Sequence, residues 1–454
     1  MHTAGLSVLS YASIAVLAVV YFFLITEKIN KVIVAVLGAA VVILTQLFQG
    51  EGSPQQIAFH FISNNLDVLG FIVGMMILVG IVRESGLFEA IAIWLVKAVK
   101  GNPIYLFVAI CYLTLVMTAF LSNIPTILII APVVLVLANE LKLPYLPFFM
   151  GIITFANIGG AMTPISDPTT YYQATTVGLS FIEVISNSGI GVIILSVVST
   201  VYFLILFGKQ LKAAKVSPKD VAAFNPASAI QDKKILYVGV PLLVVSILLM
   251  ILKEWFSKTM GIRFDNASIV LFSAFLAMLI FNKSPKYIFE KVVDWEILFF
   301  FMGLFVVIGS LEHNGVIAAL AMELLRLSGG ALTPLLFLIQ MGSSVLSVFI
   351  DNVPYNITMV SAVQEMAKAG VVVYPLWWAL NLGTSLGGAG SPIGAACNVV
   401  ACGIAEKEGK HIRRFGFGYI ESLGLLEVAK NQFNVHFNKF LESIRTNGNL
   451  NNPS

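Results

Sequence analysis

Two aspartates stand where an acid is costly. Asp167 lies in Asn157-Ile-Gly-Gly-Ala-Met-Thr163-Pro-Ile-Ser166-Asp167-Pro-Thr169-Thr170, and Asp351 in Asp351-Asn352-Val-Pro-Tyr, both inside long apolar stretches. A carboxylate at membrane depth must be protonated, paired or bound to a cation. Neither segment contains a Lys or Arg to pair with it, so both acids are candidate proton or sodium sites. The plainer alternatives are a helix cap for Asp167, because Ser-Asp-Pro starts helices well, and a turn acid for Asp351.

The neighbouring residues supply neutral oxygen and amide ligands. Around the first acid these are Ser122, Asn123, Thr126, Asn157, Thr163, Ser166, Thr169 and Thr170. Around the second they are Asn352, Thr384, Ser385, Ser391 and Asn398. Adjacent glycines and a proline interrupt a helix at 159–164 and again at 387–392. Such a break leaves free carbonyls on one half-helix end and free N–H groups on the other, suited to cations and to anions or hydroxyls respectively. No cofactor is expected beyond a sodium ion near Asn123, Asp167 and Asp351.

The elements that must hold these residues occur twice. Gly74, Gly80, Gly86, Asn123 and Pro125 recur 229 positions later as Gly303, Gly309, Gly315, Asn352 and Pro354. Gly159-Gly160-Ala161 and Pro164-Ile165 recur 228 positions later, at 387–389 and 392–393. Each copy carries an Asn-x-Pro interruption (104–138 and 331–365), whose apolar arms are too short and too closely linked for two comfortable spans. Each also carries a glycine break (144–178 and 372–405). The sequence predicts an all-α polytopic membrane protein: an inverted repeat with two re-entrant helical hairpins and two discontinuous transmembrane helices. The predicted division is a first half over 1–207, a linker over 208–234, a second half over 235–410 and a tail over 411–454. The amphipathic segments 87–100 and 316–327 are expected to lie at the membrane surface.

Composition agrees. Of 454 residues, 58% are hydrophobic and 11% charged, and the net charge is only +3. An ordinary soluble domain carries about 25% charged residues, so the lipid bilayer is the expected partner and nucleic acid is excluded. Apolar runs of roughly 20 residues fit a bilayer core. Lys28, Lys31, Arg83, Lys97, Lys283 and Lys291 can share one side, which the positive-inside rule makes cytoplasmic. The loop 49–66 has no Lys or Arg and is assigned outside. The three cysteines lack metal-site spacing, and no enzymatic activity is expected. An intramembrane aspartyl protease would need a Gly-x-Gly-Asp context that these acids lack, and an ion channel would not require inverted broken helices.

Asp351-Asn-Val-Pro-Tyr355 and Gly387-Gly-Ala-Gly-Ser-Pro-Ile-Gly-Ala-Ala-Cys-Asn398, continuing to Lys410, resemble the ion transporter superfamily, most closely its arsenical pump and P-protein branch. Ala156 to Thr170 is equally similar to the NhaD-type sodium/proton antiporters. The Ser-Asn-Thr tips of the sodium/dicarboxylate symporters are absent, since Ile124 and Val353 stand at the Thr positions. The resemblance implies scaffold helices, a mobile transport domain of hairpins and broken helices, a homodimer, and a separate ATPase subunit if the arsenical-pump likeness holds. It implies a proton- or sodium-coupled secondary transporter of the cell (inner) membrane. Sodium/proton antiport and arsenite-type efflux come first, with sodium-coupled carboxylate or oxyanion symport as the alternative. Family members usually close with a further spanning helix, but 413–431 is short and acid-interrupted, which favours an amphipathic tail.

Overall fold

A computed structural model describes residues 6–409 apart from 27, 49–51, 215, 217–224, 262–263, 393 and 408. The tail at 411–454 and the stretch 413–431 lie outside the described residues. Those described form helices and no strand. In chain order they are α1 (Val8–Thr26), α2 (Lys31–Leu44), α3 (Pro54–Ser63), α4 (Leu66–Arg83), α5 (Leu87–Ala98), α6 (Pro103–Leu121), α7 (Asn123–Glu140), α8 (Tyr145–Gly159), α9 (Pro168–Val177) and α10 (Phe181–Ala213). A π-helical turn at Ile235–Gly239 leads into the second set. That set is α11 (Val240–Met260), α12 (Asn266–Ile280), α13 (Pro285–Lys291), α14 (Trp295–His313), α15 (Val316–Leu327), α16 (Leu332–Phe349), α17 (Asn352–Lys368), α18 (Tyr374–Gly388) and α19 (Ala396–Lys407). Among the described residues, eight helices are long and apolar enough to cross a membrane, so the chain is an integral multi-pass membrane protein.

Three features differ from the sequence reading. The hairpin arms are longer than expected: α6, α7, α16 and α17 have 19, 18, 18 and 17 residues. Pro132 sits inside α7 without ending it. The 49–66 loop contains α3, whose start is a capping box in which Ser53 and Gln56 bond each other's backbone N–H. Helix α10 runs through position 207 to Ala213, so no break separates the first half from the beginning of the linker.

The same packing recurs in both halves. Helix α8 lies along α6 in the same direction, with Gly151 against Cys111 and Phe107, and Gly159 against the Leu115 carbonyl. In the second half Gly383 meets the Gln340 carbonyl and Gly387 the Ser344 carbonyl. Gly159 and Gly387, and likewise Leu115 and Ser344, are repeat partners. Small residues let helix backbones approach closely, the main source of helix association in lipid. The repeat also extends beyond the stretch legible by offset. Gly74 of α4 faces the backbone of Val270 and Leu271 in α12, and its partner Gly303 of α14 faces the backbone of Ala35 in α2. Helices α2 and α12 are therefore counterparts. Each ends with a non-glycine residue in the left-handed region, Gln46 (φ 54°) and Asn282 (φ 49°).

Gly86 and Gly315 begin α5 and α15 in left-handed conformation, at φ 74° and 73°. They differ in what surrounds them. A Cβ on Gly86 would lie 1.8 Å from the Ala229 carbonyl oxygen, whereas one on Gly315 would meet nothing within 4 Å. The strap Asn225–Gln231 docks at this corner, with Gln231 N–H donating to the Ser85 carbonyl at 3.0 Å. Gly315→Ala should cost about 1 kcal/mol of left-handed strain. Gly86→Ala should cost that and also dislodge the strap, giving the larger fall in melting temperature by detergent-solubilised thermal denaturation.

Candidate ion site at the hairpin tips and helix breaks

Each hairpin tip meets the break of its own half. Ser122, the residue between α6 and α7, adopts φ 74° and ψ 157°, a strained turn for a non-glycine residue. It delivers Asn123, 4% exposed, to the break between α8 and α9. There the Asn123 side-chain amide donates to Asp167 Oδ2. Asp167 Oδ1 accepts from Thr169 N at 2.8 Å and Thr169 Oγ1 at 2.7 Å. Asp167 is thus the cap of α9, as the plainer alternative has it, and is also bound to a hairpin tip. In the other half Asn352 N–H donates to the Gly394 carbonyl at 3.0 Å. That carbonyl precedes Ala395, which stands where the first half has Asp167.

The remaining candidates divide into a clamp and a set of backbone staples. Thr170 Oγ1 donates to the Gly160 carbonyl (2.7 Å), and its repeat partner Asn398 donates through Nδ2 to the Gly388 carbonyl (2.6 Å) and the Ser391 carbonyl (2.7 Å). Asn157 Nδ2 donates to Asn398 Oδ1 at 2.7 Å, so the two breaks are joined directly. Thr163 donates to the Ala119 carbonyl, and its partner Ser391 to the Val348 carbonyl. Ser166 Oγ bonds the Gly160 and Thr163 carbonyls within its own break. Thr126 and Thr384 donate to carbonyls one turn back, of Ser122 and Leu380. Ser385 is buried on α18, and Ser122 lines a neighbouring cavity. Asn398→Ala should strand the Gly388 carbonyl in a dry site, leave the Ser391 carbonyl with only the Gly394 N–H, and cut the direct Asn157 link between the two breaks. At 1–3 kcal/mol for an unsatisfied buried group, the melting temperature in detergent should drop clearly.

Two participants escape the sequence reading. Asn381 of α18, 1% exposed, accepts from Thr170 Oγ1 at 2.8 Å and donates to the Ala161 carbonyl and Ser188 Oγ. A lone amide in an apolar helix is its only sequence signal. Lys31, at the start of α2, places Nζ 3.8 Å from Asp351 Oδ2. Asp351 therefore has a cationic neighbour after all, from an element some 320 positions away in sequence. Asp351 Oδ1 also accepts from Val353 N at 3.1 Å, capping α17.

Asp167 and Asp351, one from each half, line one cavity of about 20 Å³ with Asn123, Asn352, Lys31 and Phe300. That volume holds about one water or one bare ion. Two larger cavities reach it on the face carrying Lys31, Arg83 and Lys291. One of about 460 Å³ shares Ile124, Pro168 and Ile297 with it, and one of about 430 Å³ shares Lys31, Ile124, Ile297, Asp351 and Ala396. A further cavity of about 360 Å³ is lined by Asn64, Asp67, Tyr172 and Glu312 and shares no residue with the small one. Beside it Tyr172 stacks on Phe305 (5.9 Å between ring centroids), while Tyr171 stacks at 3.7 Å on Phe71, which lines the 460 Å³ cavity.

Duplicated broken helices, buried hairpin tips and a polar centre reached through cavities define a membrane transporter. The chain belongs to the citrate transporter family, whose pattern it matches over residues 21–383. It is 30% identical over 414 residues to an uncharacterized transporter of Mycobacterium tuberculosis (strain H37Rv), covering 90% of this chain and 94% of that one. It is 29% identical over 429 residues to an uncharacterized transporter of Synechocystis (88% and 91%). It is 25% identical over 481 residues to the human P protein, covering 90% of this chain and 56% of that protein.

Proposed function

We propose that the chain is a secondary carrier that exchanges sodium for protons by alternating access, with Asp167 and Asp351 as the groups that bind the cation or the proton. The observation that supports this reading most is the convergence of both acids, from opposite halves, on a cavity sized for one bare ion. Asn123, Thr169 and Asn352 are the neutral groups that position or complete it.

The hairpins are re-entrant in this reading. Helix α6 runs alongside α8 and ends level with its break, while α9 continues for ten residues beyond. At 1.5 Å per residue that is about 15 Å more, so the tip stops near mid-depth. With the cavities of 430 and 460 Å³ meeting the site through Ile124 and Ile297, and the Tyr172–Phe305 pair on the other side, the arrangement corresponds to a cytoplasm-facing state.

Citrate fits less well. Among the described residues, the 430 Å³ cavity has Asp294, Glu296 and Asp351 in its wall against Lys31 as its one cation, an unfavourable lining for a trianion. Purified protein in liposomes with a trapped pH dye tests the reading. External sodium should drive proton efflux from the lumen, and an imposed pH gradient should drive ²²Na⁺ uptake. Uptake of citrate or arsenite with no sodium-linked proton movement would overturn it.

A further inference from the structure

We propose that Lys31 is the resident counter-ion of Asp351, leaving the two-carboxylate site with a single net negative charge and making it selective for one monovalent cation. The inference rests on the exchange reading above and adds what sets the charge of the ion that the site accepts.

The ammonium of Lys31 lies 3.8 Å from Asp351 Oδ2, and its side chain is only 32% exposed. It also sits over the Phe300 ring, 5.1 Å from the centroid, where the ring face attracts a cation. Lysine is thereby held at the junction of the 20 Å³ and 430 Å³ cavities, lining both. Asp294 and Glu296 share the larger cavity, but Asp294 caps α14 through Glu296 N and Ile297 N, and Glu296 accepts from the Asn30 side chain. Neither lines the small cavity. Among the described residues the charged groups there are Asp167, Asp351 and Lys31. Asp167 receives only neutral donors, from Asn123 and Thr169. With all three groups ionised the cavity carries −2 from the acids and +1 from the lysine, a net of −1 located at Asp167.

The inverted repeat gives an internal comparison. Ala35 and Val270 make equivalent contacts with Gly303 and Gly74, so α2 and α12 align at an offset of 235, and Lys31 corresponds to Asn266 at the first position of α12. The hairpin-tip residue and the first residue of the equivalent helix differ together between the halves. The second tip has Asp351 and its helix Lys31, while the first tip has neutral Ser122 and the equivalent helix neutral Asn266. An acid and a base present or absent as a pair is the pattern of charge compensation. A carboxylate at this depth without a partner is heavily penalised.

The test uses the full chain in liposomes with Lys31→Met, Asp351→Asn and the double variant. The double variant restores a net charge of −1. ²²Na⁺ uptake should fall at least ten-fold in each single variant, and the double variant, which regains the net charge but still lacks the Asp351 carboxylate, should stay below the parent while exceeding both singles. Calcium should compete with sodium in Lys31→Met, whose site carries −2, and leave the parent unaffected, a change that a merely structural lysine would not produce. Melting temperature should follow the same cycle, lowered in Lys31→Met and recovered in the double. Normal uptake in Lys31→Met without calcium competition, or a double variant as inactive and as unstable as the singles, would overturn the proposal. If the parent carries no sodium the exchange reading fails, and the melting cycle still decides whether Lys31 and Asp351 form a compensated pair.

Discussion

Asp167→Asn is expected to reduce sodium-driven proton exchange at least about 100-fold, to the level of empty liposomes, while the protein still folds. The expectation follows from separating the two jobs that Asp167 performs. Its Oδ1 caps α9 by accepting from Thr169 N and Oγ1, and asparagine caps helices as well as aspartate does. The charge is what asparagine removes. With it goes the uncompensated charge that pulls a cation out of water into a site whose other charges, Asp351 and Lys31, offset each other. The melting temperature should fall by only a few degrees, because the cap survives and the one loss is at Asn123, whose Oδ1 can face the new amide only by releasing the Ile124 N–H. Asp167→Ala is the informative contrast. It loses the cap, worth about 1 kcal/mol, and leaves the Asn123 amide without its acceptor, so stability and transport should fall together. Normal exchange in Asp167→Asn, with loss only in Asp167→Ala, would reduce Asp167 to a helix cap and remove it from the ion site.

The candidate site residues were readable because polar groups in apolar segments need a reason to be there. Asp167, Asn157, Thr170 and Asn398 stand out in this way, and the structure brings them to one pair of joined breaks. The repeat was readable over the stretch where glycines and prolines keep one offset. It faded at α2 and α12, where equivalence rests on backbone approach to Gly303 and Gly74 rather than on shared residue types. Lys31 was missed for a different reason. It looks like one of many basic residues marking the cytoplasmic side, and only tertiary packing puts it beside Asp351. Asn381 was hidden because a lone amide in a tryptophan-rich apolar helix offers no spacing to read. The lengths of the hairpin arms were underestimated because the tip was taken as a wide interruption. Ser122 accomplishes the turn as one residue by adopting a positive φ.

The break in the second half depends on an approach that tolerates no added carbon, so Gly387→Ala is expected to prevent folding of most of the protein. A Cβ there would lie 2.5 Å from the Ser344 carbonyl oxygen and 2.8 Å from Ser347 Cβ. The first is backbone and cannot rotate away. Gly383, one turn earlier, is equally tight, with the Gln340 carbonyl at 2.6 Å, so α18 and α16 are in contact along a small-residue seam. Separating them would disturb the Ser347 hydroxyl bond to the Thr384 carbonyl at 3.2 Å and the Ser391 bond to the Val348 carbonyl. Overpacking of this kind costs roughly 1–3 kcal/mol even where side chains can adjust, and a backbone obstacle should put the cost at or above the top of that range. Monodisperse protein recovered by size-exclusion chromatography should fall by most of its amount. Gly342→Ala, also on α16 but with nothing within 4 Å of the added carbon, should be recovered at parental levels, because alanine is the better helix former. Equal recovery of both variants would show that α16 and α18 are not held at this distance in the membrane, and the backbone staples that close the second break would have to be reassigned with them.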